Sequence, residues 1–327
     1  MDNQLIRTQV LNPGTARDEA YLDHPLVTGR VEIPTPEVQR AYEETVAAIV
    51  KRRPGLCYYG EFRAGKTFAI SLLQRNLPQS FAHLPIRSIV AKDHEKPTEK
   101  ALFSDMLFDL DHAAHDKGSA PDRRIRLIEH LRSLACDRGS DKLLLFVDEA
   151  QNYSIPDLSR LKDIGNDLGR IGISLTVIFF GDCRLLNMRA ALTSRQRTDI
   201  VGRFFLHSRP FNSVNSLEDA CSILRALDDP EVSSYPPGSG ISYTEFFQHP
   251  MYSRGWRLTD EAPKCWQAFA TIGRCAAEDL RVGMQWFMST ASDFLFGQHS
   301  LDVDRLPAWI AAVKASGFES ANGIQRP

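Results

Sequence analysis

Five largely apolar runs punctuate this chain, at 56–59, 85–91, 143–147, 174–180 and 204–207. The longest, 143–147 and 175–180 (broken only by Thr176), are continuous rather than alternating, which predicts strands buried on both faces of a parallel sheet. Between them, apolar residues recur at helical spacing. Thr35 followed by Pro36 predicts a helix start, and Ala41, Val46, Ile49 and Val50 form its stripe before Pro54-Gly55 ends it. Further helices are predicted over 66–75, 98–112, 121–136 and 155–168. Strands alternating with helices place the chain in the α/β class, with a three-layer parallel-sheet domain.

After Pro210 the pattern changes. Helical spacing dominates to about 299, interrupted by a Pro/Gly-rich loop at 228–240. The expected organisation is a polar arm over 1–34, flexible or partner-binding; an α/β domain over 35–210; a smaller helical domain over 211–299; and a tail over 300–327. Trp309 and Ile310 in the tail read either as a docking segment or as a piece folded back on the helical domain. A length of 327 residues suits about two domains. An apolar fraction of 43% and a charged fraction of 24% exclude collagen, low-complexity disorder and disulfide miniproteins. No apolar segment approaches bilayer length, no signal peptide is evident, and the six cysteines form no CxxC pair, so a cytoplasmic protein with reduced thiols is expected.

The strand at 56–59 runs into Gly60-Glu61-Phe62-Arg63-Ala64-Gly65-Lys66-Thr67, which fits G-x-x-x-x-G-K-[ST]. Glycines let the backbone amides turn toward a phosphate, and the following helix aims its N-terminus at the same anion. Lys66 would meet the β- and γ-phosphates of ATP, and Thr67 would offer a hydroxyl to Mg²⁺. The expected nucleotide contacts are Gly60, Phe62, Arg63, Ala64, Gly65, Lys66, Thr67 and Phe68. The run 143–147 ends in Asp148-Glu149, a Walker B pattern. Asp148 would hold the metal through its water shell, and Glu149 would act as general base on the attacking water.

The run 174–180 ends in Gly181-Asp182, where Asp182 is a candidate γ-phosphate sensor. Six arginines face one acid, Asp199, between 184 and 209. Among them Arg203 is the candidate arginine finger acting on a neighbouring subunit's site, with Arg195 and Arg197 as fallbacks. Arg281, expected on a helix of the small domain, is a candidate for coupling that domain to the γ-phosphate, with Arg274 competing. His112 and His115 have i,i+3 spacing beside acids, a pattern that is more often a solvated helix face than a metal site.

Taken together, Gly60–Thr67, Asp148-Glu149-Ala150-Gln151, Gly181-Asp182, Gly202-Arg203-Phe204 and Arg281 resemble an AAA+ ATPase, and within that class the bacterial TnsC/TniB transposition regulators, including those of CRISPR-associated transposons. The resemblance spans roughly 35–295. Asp182 departs from the Thr or Asn often found at that sensor position. The resemblance implies ATP and Mg²⁺ as cofactors and a hexameric or heptameric ring, or a filament, on double-stranded DNA. It also implies a transposase on one side and a target selector of the TniQ type on the other. By the same resemblance, Lys100, Lys117 and Ser119 would meet the DNA backbone, and 211–299 would be a lid. An AAA+ helicase loader or secretion-type ATPase, or a P-loop small-molecule kinase, are the alternatives. A formal net charge of −2 argues against coating of nucleic acid by bulk charge. Repetition of a few pore lysines around a ring removes that objection.

Overall fold

A computed structural model describes residues 3–320 and divides the chain into two compact units. One is Glu37–Asn212; the other combines Met1–Pro36 with Ser213–Pro327.

The first unit is built on five parallel strands: β1 (Gly55–Tyr59), β2 (Ile86–Val90), β3 (Lys142–Asp148), β4 (Ser174–Gly181) and β5 (Ser208–Pro210), in the order β2-β3-β4-β1-β5. The continuous apolar runs explain themselves in β3. Leu143, Leu145 and Val147 enter the core on one face, and Leu144 and Phe146 enter the core on the other. Successive side chains alternate across a strand, so a strand with helices on both faces needs every position apolar. Helices Glu99–Asp109, Ala120–Cys136 and Ile155–Arg170 cover the first face; Pro36–Val50 and Lys66–Ser80 cover the second. The result is a three-layer α/β arrangement on an all-parallel five-stranded sheet.

One predicted strand is corrected. The run 204–207 is not extended: Phe204 and Phe205 lie in a π-helical turn, Val201–Phe205, and both are fully buried against Phe179. A short apolar run fits a buried helical turn as well as a buried strand. The true fifth strand starts at Ser208, opposite Cys57 of β1.

The second unit is helical. Helices Leu217–Asp228, Tyr243–Tyr252, Ala262–Gly273 and Met284–Phe296 surround an aromatic core. The tail helix Leu306–Ala315 belongs to that core. Trp309 is fully buried, stacks on Phe294 at 3.8 Å between centroids, and donates its indole N–H to Glu261. Of the two readings of Trp309, the structure takes the folded-back one. Residues read as an arm are likewise helical, over Asn3–Leu11, Thr15–Asp23 and Pro25–Thr28. Arg7 pairs with Glu245, and Arg17 donates to the carbonyl of Phe246. Positions 1–2 of that segment and 321–327 of the tail lie outside the described residues. Arg281 is also corrected. The helix Ala262–Gly273 ends where Arg274 turns left-handed (φ 50°), and Arg281 follows a turn, next to the isolated bridge of Val282 with Val214. Among the described residues no helix is long and apolar enough to cross a membrane.

His24 makes this unit sensitive to acid. It is fully buried among Tyr235, Tyr243, Phe246 and Phe247, accepts the Leu26 N–H at Nδ1, and leaves Nε2 without a partner. Burial pushes its pKa down to about 3. The unfolded chain therefore takes up the proton first, below the ordinary value of about 6.5. Stability is full above that pH and falls by about 1 kcal/mol per pH unit as pH drops toward 3. Urea unfolding at pH 7.5 and 5.0 is expected to give a steeper loss for the wild type than for His24→Phe; equal losses would contradict this.

Candidate nucleotide-binding site

The sheet order brings three strand ends together. β1 ends at the glycine loop and β3 at Asp148, and β4 lies between them, ending at Gly181. The two glycines of the loop act differently. Gly65 sits at φ 96° and opens the helix Lys66–Ser80, a left-handed conformation that favours glycine. Gly60 is needed for space, since a Cβ there would collide with the carbonyl of Phe211. Arg63 adopts φ 64°, which tightens the loop between them.

Lys66 is 8% exposed, and its Nζ donates to the loop carbonyls of Gly60 (2.9 Å) and Glu61 (2.7 Å). Burial lowers its pKa, and the carboxylates of Glu149, Asp148 and Asp182 pull it back up. A cation enclosed by the loop and faced by three acids is poised for a polyanion accompanied by a metal. The Thr67 hydroxyl donates to Asp148 Oδ2 at 2.6 Å. These are two hard oxygen ligands of the kind Mg²⁺ takes while keeping several waters, so the residues fit the implied ion. Asp148 Oδ1 accepts the Glu149 N–H at 2.9 Å. Glu149 stands at φ 52°, a left-handed position that a non-glycine residue adopts only when its surroundings enforce it. Phe62 is exposed at the loop tip beneath the Arg63 guanidinium, whereas Ala64 is buried and Phe68 packs on the core.

Asp182 is brought to the same place, but its carboxylate is occupied. Oδ1 accepts the Arg184 N–H and Oδ2 accepts Arg184 Nε, both at 2.8 Å. The charge of this acid is thus offset by Arg184, one of the six arginines between 184 and 209.

Arg203 is not part of this cluster. Its carbonyl lies against Gly55 at the amino end of β1, the end opposite the glycine loop. The guanidinium packs on Gly165 and donates to Asn166 Oδ1 at 2.7 Å, and burial lowers its pKa. An open cleft of about 580 Å³ beside it is lined also by Arg52 and Arg170. Of the fallbacks, Arg197 is paired with Asp199 and Arg195 is exposed. Arg281 belongs to the other unit, where it is exposed and donates to the carbonyls of Glu278 and Leu280.

Lys100 and Lys117 are both exposed. Arg123, which the sequence reading assigned no task, joins their segments by donating to the carbonyls of Lys100 and Asp116. Arg126 donates to the carbonyl of Lys117 at 2.8 Å. Ser119 forms a capping box with Asp122 at the start of Ala120–Cys136, so its hydroxyl and N–H serve the helix. Among the described residues no group of three or more His, Cys, Asp or Glu gathers to hold a metal, at His112 and His115 or elsewhere.

A search among curated proteins finds no match. Solved structures give distant likenesses. A Walker-type ATPase of Pyrococcus abyssi is 12% identical, with a TM-score of 0.47 over 87% of this chain and 72% of that one. Domain III of the Thermotoga maritima replication initiation protein DnaA is 15% identical, with a TM-score of 0.45 over 86% and 93%. The Aeropyrum pernix ORC1 protein, solved in complex with DNA, is 12% identical, with a TM-score of 0.43 over 91% and 87%. Residues 50–188 match the model of the AAA domain, a segment that holds the glycine loop, both Walker carboxylates and the end of β4.

Proposed function

We propose that this protein is a Mg²⁺-dependent ATPase that assembles on double-stranded DNA and acts as a transposition regulator of the TnsC/TniB type. The observation that carries the ATPase reading is the convergence of Lys66, Thr67, Asp148 and Glu149 at the ends of β1 and β3, on either side of β4, with Thr67 and Asp148 2.6 Å apart. In this reading the loop amides and Lys66 hold the triphosphate, and Thr67 and Asp148 hold the ion, which neutralises phosphate charge when bound. Glu149 takes the proton of the attacking water. Arg203, held away from its own glycine loop, serves the site of a neighbouring copy.

Assembly on DNA is supported by the exposed Lys100 and Lys117 on segments joined through Arg123. Contacts of that kind meet the backbone and are sensitive to salt. The transposition task rests on the motif set Asp148-Glu149-Ala150-Gln151 and Gly202-Arg203-Phe204, and it brings the transposase and a TniQ-type selector as partners. Gel filtration and electron microscopy with duplex DNA and a non-hydrolysable ATP analogue test the reading. Rings or filaments that need both ligands are expected, dissolving as salt rises. A monomer indifferent to nucleotide overturns it, and assembly that needs nucleotide but not duplex favours a helicase loader or secretion-type ATPase.

A further inference from the structure

Gln151 is buried, and its amide is used at both ends. Nε2 donates to Glu149 Oε2 at 2.5 Å, and Oε1 accepts the Asp182 N–H at 3.0 Å. The same peptide group that supplies the Asp182 N–H carries the Gly181 carbonyl, which accepts the Gly60 N–H at 3.0 Å. One unbroken line of hydrogen bonds therefore runs from the start of the glycine loop, across the Gly181–Asp182 peptide, through Gln151, to the carboxylate of Glu149. Bonds in such a chain polarise one another, and each end feels a displacement of the other. Gly181 leaves the room for this, since a Cβ there would collide with Gln151 Oε1. The bond to Glu149 occupies one carboxylate oxygen and leaves the second to accept a proton.

We infer that Gln151 is a positioning residue that ties the Glu149 carboxylate to the glycine loop through the Gly181–Asp182 peptide, so that nucleotide in the loop and the orientation of the base are set together. The inference rests on the ATPase reading above. It differs from sensing by the Asp182 side chain, because the link uses only the main chain of 181–182, and the Asp182 carboxylate is occupied by Arg184.

Two variants test it beside the wild type and Glu149→Gln, all as the full chain with duplex DNA. Gln151→Glu keeps an acceptor for the Asp182 N–H and loses the donor to Glu149. Gln151→Met keeps the bulk and loses both bonds. Both are expected to lower kcat by about 10- to 100-fold, as misplacement of a reacting group does. The KM for ATP and the affinity for a non-hydrolysable analogue are expected to stay near wild type, while the thermal midpoint falls only by as much as the lost buried hydrogen bonds account for. A wild-type kcat in Gln151→Glu overturns the positioning role, as does a fall in kcat accompanied by matching losses of nucleotide affinity and thermal stability. Absence of any wild-type turnover that Glu149→Gln removes overturns the ATPase reading, and this inference with it.

Discussion

Glu149→Gln is expected to hydrolyse ATP at least about 100-fold more slowly than the wild type, the lower end of what a general base contributes. Nucleotide binding should be unchanged. The substitution keeps the shape of the side chain and removes its ability to accept a proton. The groups that would hold the nucleotide are separate: Lys66 on the loop, and Thr67 and Asp148 joined at 2.6 Å. Phosphate release and binding of a fluorescent ATP analogue, measured on the same preparation, separate the two effects. ATP-dependent assembly on DNA should persist, and a ring that no longer turns over should be longer-lived. Loss of analogue binding together with turnover would assign Glu149 to holding the nucleotide instead.

Arg203→Ala is expected to cost about 1,000-fold in hydrolysis by the assembled protein, at the lower end of what an arginine finger supplies. The affinity of the isolated chain for ATP should not change. The reason is where Arg203 sits: at the amino end of β1 beside Gly55, whereas the glycine loop leaves the carboxyl end after Tyr59. In the proposed assembly, a guanidinium placed there would serve a phosphate that is not its own chain's. The Arg203 guanidinium is held by the neutral amide of Asn166, a bond it can give up to an anion. Mixing Arg203→Ala with Lys66→Ala tests the geometry directly. Each variant alone is expected to be inactive, and mixed assemblies should regain turnover wherever an intact Arg203 faces an intact loop. Activity that does not return on mixing would place the arginine's action within its own chain.

The site was legible in the sequence where its chemistry is local. A strand, a glycine loop and a helix start lie together at 55–67, and a buried strand ending in acids needs no distant partner to be recognised. What stayed hidden depends on the fold. Phe204 and Phe205 look like a strand because an apolar dipeptide carries no period, and only the core around Phe179 selects the π-helical turn. Arg123 looks like one more surface charge, yet it is 6% exposed and its two terminal nitrogens donate to main-chain carbonyls. Gln151 stands two residues from the base in plain view. Its second partner is 31 residues away, on a strand that only the sheet order makes a neighbour.

The second unit is discontinuous along the chain, with residues 1–36 and 213–327 joined around one core. During synthesis the helices Asn3–Leu11 and Thr15–Asp23 emerge before residues 37–212, and helices this short are marginal in water without something to pack on. Their partners at Glu245 and Phe246 arrive only after all of 37–212 has been made. The sheet unit, contiguous from 37 to 212, meets no such delay and can complete its sheet while 1–36 still wait for 213–327. Chain order thus favours completion of the contiguous unit 37–212 before the discontinuous one.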